Sequence, residues 1–337
     1  MEYDINPFII HREKTYSNNK LSRSSDNILL NYNPEKNSLL IGLVPCWDKQ
    51  SQEESEGFKK ITSKNLLVLN LNHTHSYGHI YSEVFSELVA VDESYPDYDC
   101  ILTVLSPLME KVINIFNLEL SNKIRFITTY DRDTYILNFE KLMVINHEPK
   151  TFRNKARNVH KLKKIFDSAI PIEEIEKKYL LYCSRSNPRT TPHGRRLVQK
   201  NEYEIVEYLK EYAVENSLEF YFLTGEEPDG SITSIRKQRE LFANSQLIIG
   251  VHGGVFSNTI FVDAPKKPKI IEFCPRKGRW FNILFDKAIE KYAEYYQILF
   301  DDLPEITSLN GRAYANAVKH AEFTLDINKL KEALNQP

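Results

Sequence analysis

The sequence predicts an α/β protein built from two doubly wound domains. Its 337 residues accommodate two domains at roughly 100–200 residues each. Short continuous apolar runs recur along the chain, as expected for strands buried on both faces of a parallel sheet. Stretches with apolar residues at helical spacing separate them, so the order is β-α-β-α.

Taken in order, residues 1–37 are polar, with Ser, Asn and Lys dominating, and read as an irregular N-terminal arm. A first domain is drawn over 38–170. Its strands are expected at Ser38–Val44, Leu66–Leu71, Cys100–Leu105, Ile124–Ile127 and Lys141–Asn146. Its helices are expected at Tyr77–Ala90, where Ile80, Val84, Leu88 and Val91 form one stripe, at Leu108–Phe116 and at Asn154–Phe166. The proline and charge run within Asp167–Lys178 mark a linker, drawn at 171–178.

A second domain is drawn over 179–310. Strands are expected at Tyr179–Cys183, Leu218–Leu223, Gln246–Gly250, Lys269–Phe273 and Tyr295–Phe300. Helices fall at Glu202–Tyr212, Ser234–Ala243, Phe256–Phe261 and Trp280–Tyr292. Closing helices at Gly311–Ala321 and Asp326–Leu334 fill 311–337.

Composition narrows the function. Hydrophobic residues at 42% and charged residues at 27% are ordinary for a globular protein with a core. A net charge of −2 argues against a nucleic-acid partner. Cys46, Cys100, Cys183 and Cys274 are widely spaced, which suits neither a zinc site nor a disulfide framework and fits a reducing compartment. The start, Met1-Glu-Tyr-Asp-Ile-Asn-Pro7, has no apolar signal region. No run approaches ~18 apolar residues. The expectation is a cytoplasmic protein without a membrane span.

In doubly wound sheets, ligands bind beyond the carboxyl ends of the strands. Four second-domain strands deliver polar or glycine-rich groups there: Ser184 and Arg185, Thr224 to Glu227, Val251 to Gly254, and Glu272. The loop Gly250-Val-His252-Gly253-Gly254 runs into a short helix. Its glycines admit a close ligand, and a helix start offers N–H groups to an anion such as a diphosphate. A simple tight turn also fits. His252 has the chemistry of a donor to that diphosphate, and Ser257 and Asn258 follow as caps or further donors. Arg185 opens a basic stretch with Arg189, Arg195 and Arg196, suited to clamping a diphosphate or simply to a solvated loop. Glu272 is placed to take ribose hydroxyls, or to pair with Lys269 or Arg276. The glycines do not spell GxGxxG, which disfavours NAD and FAD.

These residues resemble the signature of the family 61 glycosyltransferases. The pattern reads here as Ser184-Arg185, Arg195-Arg196, Asn201-Glu202, Gly250-Val-His252-Gly253-Gly254-Val-Phe-Ser257-Asn258 and Ile270-Ile-Glu272. Gly254-Val255 stands where the family has Ala-Gly, and Phe256 where it has Leu. The resemblance implies two Rossmann-like domains facing across a cleft, the GT-B type. It further implies an inverting, metal-independent hexosyl or pentosyl transfer, with the nucleotide sugar, typically a UDP-sugar, on the second domain. The donor is a substrate, and no cofactor is expected. The acceptor would be a saccharide in polysaccharide or glycan biosynthesis.

The first domain contributes Asn72-His-Thr-His-Ser-Tyr-Gly-His79-Ile-Tyr-Ser-Glu83 after the strand at Leu66–Leu71. His79 and Glu83 are four apart and share a face on a helix. Family members carry a similar His-x-x-x-acid. An inverting transfer needs a base for the acceptor hydroxyl, and His79 is the first candidate, with Glu83 orienting it or replacing it. Packing at a helix start also fits His79. Two other readings stand beside the transferase. One is a degenerate binding module in which Val255 obstructs the donor. The other is a metallohydrolase using His73, His75 and His79. Asp131 and Asp133 read as a surface turn, and Trp280 as core packing or pocket lining.

Overall fold

Strands whose side chains are apolar on both faces need cover on both, as in Tyr179–Cys183, which is buried throughout. The structure, a computed structural model, describes residues 8–11, 28–33, 38–43, 59–70, 97–105, 124–128, 135–146, 163–172, 178–186, 198–262, 266–275, 292–300 and 322–336. The chain divides into two compact units, Met1–Ile165 and Phe166–Pro337.

The first unit holds a seven-stranded sheet of β1 (Phe8–His11), β2 (Ile28–Asn33), β3 (Ser38–Leu43), β4 (Lys59–Asn70), β5 (Cys100–Leu105), β6 (Ile124–Thr128) and β7 (Tyr135–Asn146). Its order is β2-β3-β7-β4-β5-β6, with β1 also on β7. The pairs β7-β4, β4-β5 and β5-β6 are parallel. Counted in chain order, that parallel part runs 3-2-1-4, so its topological switch lies between β4 and β7. The pairs β2-β3, β3-β7 and β1-β7 are antiparallel. The first sheet is therefore mixed, where a purely doubly wound one was expected.

The segment 1–37, read as an irregular arm, also needs correction, because it contains β1 and β2. Their apolar runs are only three residues long, Phe8-Ile-Ile10 and Ile28-Leu-Leu30. Such runs are weak local signals, and these become strands through ladders with the twelve-residue β7 and with β3.

The entry to β5 is fixed by Asp99. Its carboxylate accepts from Ser63 Oγ at 2.6 Å and from the amides of Asn65 at 2.9 Å and Lys64 at 3.2 Å. Burial pushes this carboxyl up, but the bonds from Ser63, Asn65 and Lys64 prevail and hold it below its ordinary value. Its stabilisation is therefore present above the ordinary Asp value and is lost as pH falls through the depressed one. Asp99→Asn should cost about 1 kcal/mol at neutral pH. The difference from wild type should shrink in acid. Urea midpoints at neutral and acidic pH check this, and a pH-independent difference would contradict it.

The second unit holds a parallel sheet of β8 (Tyr179–Cys183), β10 (Glu219–Leu223), β11 (Ser245–Val251), β12 (Lys269–Pro275) and β13 (Glu294–Phe300). Its order is β10-β8-β11-β12-β13, with every pair parallel. Leaving out β9, this is the doubly wound order 2-1-3-4-5, whose switch point lies between β8 and β11. A separate two-stranded ladder joins β9 (Val198–Gln199) to β14 (Glu322–Phe323). Helices α1 (Glu202–Glu215), α2 (Ile235–Asn244) and α3 (Ile327–Asn335) and the 3-10 segment Gly254–Phe261 belong to this unit, and residues 163–169 are also helical. Ser234 caps α2 through the Lys237 amide, and Asp326 caps α3 through the Asn328 amide.

The core packs α1 and α3 on the sheet. Leu180, Tyr182 and Ile249 meet Ile205 and Leu209 of α1 and Leu330 and Leu334 of α3. Lys269 donates to the Leu334 and Gln336 carbonyls, which suits a cation at a helix C-terminus. Asn201 locks the chain entering α3 by bonding both the carbonyl and the amide of Leu325, at 2.9 and 3.0 Å.

Residues 166–170, drawn as the end of the first domain, pack in the second unit. Phe166 meets Phe261 edge-on at 5.4 Å. The buried Arg239 of α2 donates through Nε to the Ile170 carbonyl at 2.6 Å and through Nη2 to Asp167 at 2.7 Å. A guanidinium out of water needs such partners. They tie the segment to α2, and no local composition signal reports them. The helices expected at Tyr77–Ala90, Leu108–Phe116, Trp280–Tyr292 and Gly311–Ala321 fall on residues outside those described or at their edge.

Candidate active site

A switch point opens a crevice because the connections from two adjacent strands leave toward opposite faces. In the second unit those strands are β8 and β11, and their close approach depends on one glycine. A Cβ on Gly250 would lie 2.3 Å from the Cys183 carbonyl oxygen and 2.8 Å from Cys183 Cβ. Two residues beyond each position come Arg185 and His252. Arg185 Nη1 donates to the His252 carbonyl at 2.6 Å. The Arg185 stem runs past Gly253, where an added Cβ would sit 3.0 Å from its Cδ. The half-buried guanidinium, the His252 loop and the exposed Gly254 therefore meet at the switch.

Glu272 is 1% exposed. It sits inside β12, opposite Gly250, not at the strand's end. Its Oε1 lies 2.6 Å from His252 Nδ1, and its Oε2 accepts the Tyr295 hydroxyl. Gln297 Nε2 donates to the same Tyr295 oxygen at 2.9 Å. Both carboxylate oxygens are thus engaged within the protein, which leaves the expected ribose contact without a basis in this geometry. Of the two alternative partners, Lys269 caps α3 instead, and Arg276 lies outside the described residues. Burial, followed by the Glu272 charge, raises the Tyr295 phenol far above its ordinary value, so it stays a donor. His252, Glu272 and Cys274 offer ligand atoms within 4.8 Å of one another. Hydrogen bonds already use Nδ1 and both carboxylate oxygens.

The residues after Gly254 turn inward. Ser257 donates its hydroxyl to the Gly254 carbonyl. Asn258 is fully buried and donates Nδ2 to Gln238 of α2 at 2.6 Å. Gly253, with no side-chain cap, precedes the 3-10 segment. Ser257 and Asn258 therefore hold the loop's shape rather than point from a helix start. The Asn201-Glu202 pair is also a scaffold. Glu202 accepts from Ser184 Oγ at 2.7 Å and Tyr182 OH at 3.2 Å, holding the β8 end. After β10, Thr224 bonds the Glu226 backbone, and Glu227 accepts from Tyr221. That loop closes on itself.

The structure thus brings together Arg185, Gly250, His252, Gly253, Gly254 and Glu272. His79, Glu83, Arg195 and the histidine set His73, His75 and His79 lie outside the described residues, as do Asp131, Asp133 and Trp280. Sequence reasoning missed Tyr295 and Gln297. Both alternate on one face of β13, and only strand order puts that face beside Glu272.

The glycosyltransferase 61 family model matches residues 77–271. The chain belongs to glycosyltransferase family 61. It is a glycosyltransferase, and the matched span holds His79, Glu83, Arg185, Arg195 and the whole Gly250–Asn258 loop. Glu272 and Tyr295 fall beyond that span. No curated protein matches the sequence. Among solved structures, E. coli heptosyltransferase WaaC with ADP is similar at a TM-score of 0.33 and 8% identity, covering 80% of this chain and 99% of that one. Among the described residues of the transferase, no helix is long and apolar enough to cross a membrane.

Proposed function

We propose that this transferase takes its sugar from a nucleotide sugar, a UDP-sugar, bound at the switch point between β8 and β11. It passes the sugar with inversion, and without a metal, to a saccharide acceptor in glycan or polysaccharide synthesis. The observation that carries the reading is the junction of Arg185 with the His252 loop at that switch. A guanidinium and glycine-flanked backbone at one crevice suit a diphosphate, whose charge rises as the sugar departs.

The acceptor base in this reading is His79, with Glu83 orienting or replacing it. The motif follows β4, which ends at Asn70 beside the switch of the first sheet. The GT-B class belongs to the same reading, supported by two compact units, each with a parallel run of strands.

A panel of nucleotide sugars, followed by thermal shift and by nucleotide release with glycan acceptors, tests it. One UDP-sugar should raise the melting temperature and be consumed, with turnover unaffected by chelator. No stabilisation by UDP or any UDP-sugar would defeat the donor assignment.

A further inference from the structure

Three adjacent parallel strands carry a hydrogen-bond chain that ends on the imidazole at the crevice. Gln297 and Tyr295 lie on β13, Glu272 on β12, and His252 just after β11. In register, Glu272 faces Gln297, and Tyr295 faces Ile270. Tyr295 therefore reaches Glu272 diagonally on the same sheet face, within range of a long side chain. The first two links have a defined direction. The Gln297 amide donates to the Tyr295 oxygen. The phenol has one proton and gives it to Glu272 Oε2. The other carboxylate oxygen, Oε1, lies 2.6 Å from His252 Nδ1. An ionised carboxylate only accepts, so the bridging proton belongs on Nδ1.

We propose that Tyr295 and Gln297 are positioning residues that act through Glu272 to hold His252 with a proton on Nδ1, so that the ring, once protonated, donates from Nε2 to the donor diphosphate. Desolvation and the Glu272 charge keep Tyr295 protonated, and Glu272, at 1% exposure, has no water at hand to replace it as the donor to Oε2. Without that donor, Glu272 would carry an unsatisfied buried oxygen and become more basic. It would then compete for the His252 proton, and the ring would lose its single tautomer. Around His252, the charged and titratable groups among the described residues are Glu272 and Cys274 on β12, Tyr295 on β13, and Arg185 at the His252 carbonyl. The guanidinium opposes a positive ring while the carboxylate favours it, so the state of Glu272 sets the balance.

The inference rests on the donor-site reading for its consequence, but its test needs no nucleotide. In full-length protein labelled with ¹⁵N-imidazole, long-range ¹H–¹⁵N correlation reports the tautomer and titration midpoint of His252, assigned by its loss in His252→Gln. Wild type should show Nδ1–H in the neutral ring. Tyr295→Phe keeps the ring but removes the hydroxyl. It should mix the tautomers and raise the midpoint by about one pH unit, tenfold in proton affinity. Gln297→Ala, which leaves the phenol in place, should move the midpoint the same way by less, and carries the test should Tyr295→Phe not fold. A neutral wild-type ring with its proton on Nε2, or an unchanged tautomer and midpoint in the folded variants, would overturn the proposal. UDP affinity measured across pH in the same variants separates the two ideas. A changed tautomer with no UDP binding in any form leaves the relay intact and sinks the donor site.

Discussion

Gly250→Ala should destabilise the second unit by about 3 kcal/mol, the upper end of the usual cost of overpacking. The added methyl would lie 2.3 Å from a carbonyl oxygen and 2.8 Å from Cβ of Cys183. The nearest obstacle is backbone of a central strand, which cannot swing aside as a side-chain tip can. Strands β8 and β11 must therefore part locally, and the core around Leu180, Tyr182 and Ile249 opens with them. At 2–4 °C per kcal/mol, the expected loss in melting temperature is on the order of 6–12 °C. The same displacement separates Arg185 from His252, so donor affinity should fall along with stability. Calorimetry and UDP titration on the variant read both. A melting temperature within error of wild type would show that the sheet absorbs the methyl, and the tight approach would not be what fixes the crevice.

Arg185→Ala should weaken UDP-sugar binding about 10- to 100-fold, the range for loss of charge-assisted hydrogen bonds. Two effects act together. The variant removes positive charge at the switch point, and it removes the 2.6 Å support beneath the His252 carbonyl. Arg185→Lys separates them, since the ammonium keeps the charge but not the planar fork. Recovery of less than half the lost binding energy in the lysine variant would point to the fork's geometry. Full recovery would assign the effect to charge alone. Equal affinity in wild type and both variants would remove Arg185 from the donor site. Stability should change little, because Arg185 is only half-buried.

The alternatives to transfer now stand differently. Membership of family 61 favours catalysis over a mere binding module. Val255 is neither fully buried nor fully exposed in the 3-10 turn, and UDP binding decides whether it obstructs the donor. The hydrolase reading depended on His73, His75 and His79, and metal analysis of the purified protein bears on it directly.

Much of the second sheet was legible in the residues. Tyr179–Cys183 and the run through Ile248-Ile249 carry apolar side chains at every position, which only burial on both faces accommodates. Ser234 and Asp326 cap their helices in the structure, where a short oxygen side chain satisfies a free amide with no tertiary help. Chemistry at strand ends was legible for the same local reason. Arg185, His252 and Gly253 follow strands directly, and parallel order sends such residues to one edge.

Other features had no local signal. The run Phe8-Ile-Ile10 is too short to declare a strand, and a ladder with β7 made it one. Glu272 looked like a free strand-end carboxylate because its partners, His252 and Tyr295, are 20 and 23 residues away. Asn258 looked like a donor at a helix start until Gln238, on another helix, took its amide. The sequence by itself determined the alternating α/β plan, the family and the loop at the crevice, because periodicity, capping and glycine placement act over a few residues. Only the tertiary structure decided that β8 and β11 meet at the switch and that β13 backs Glu272. Strand order is set by packing whole faces together, and no short stretch of residues encodes it.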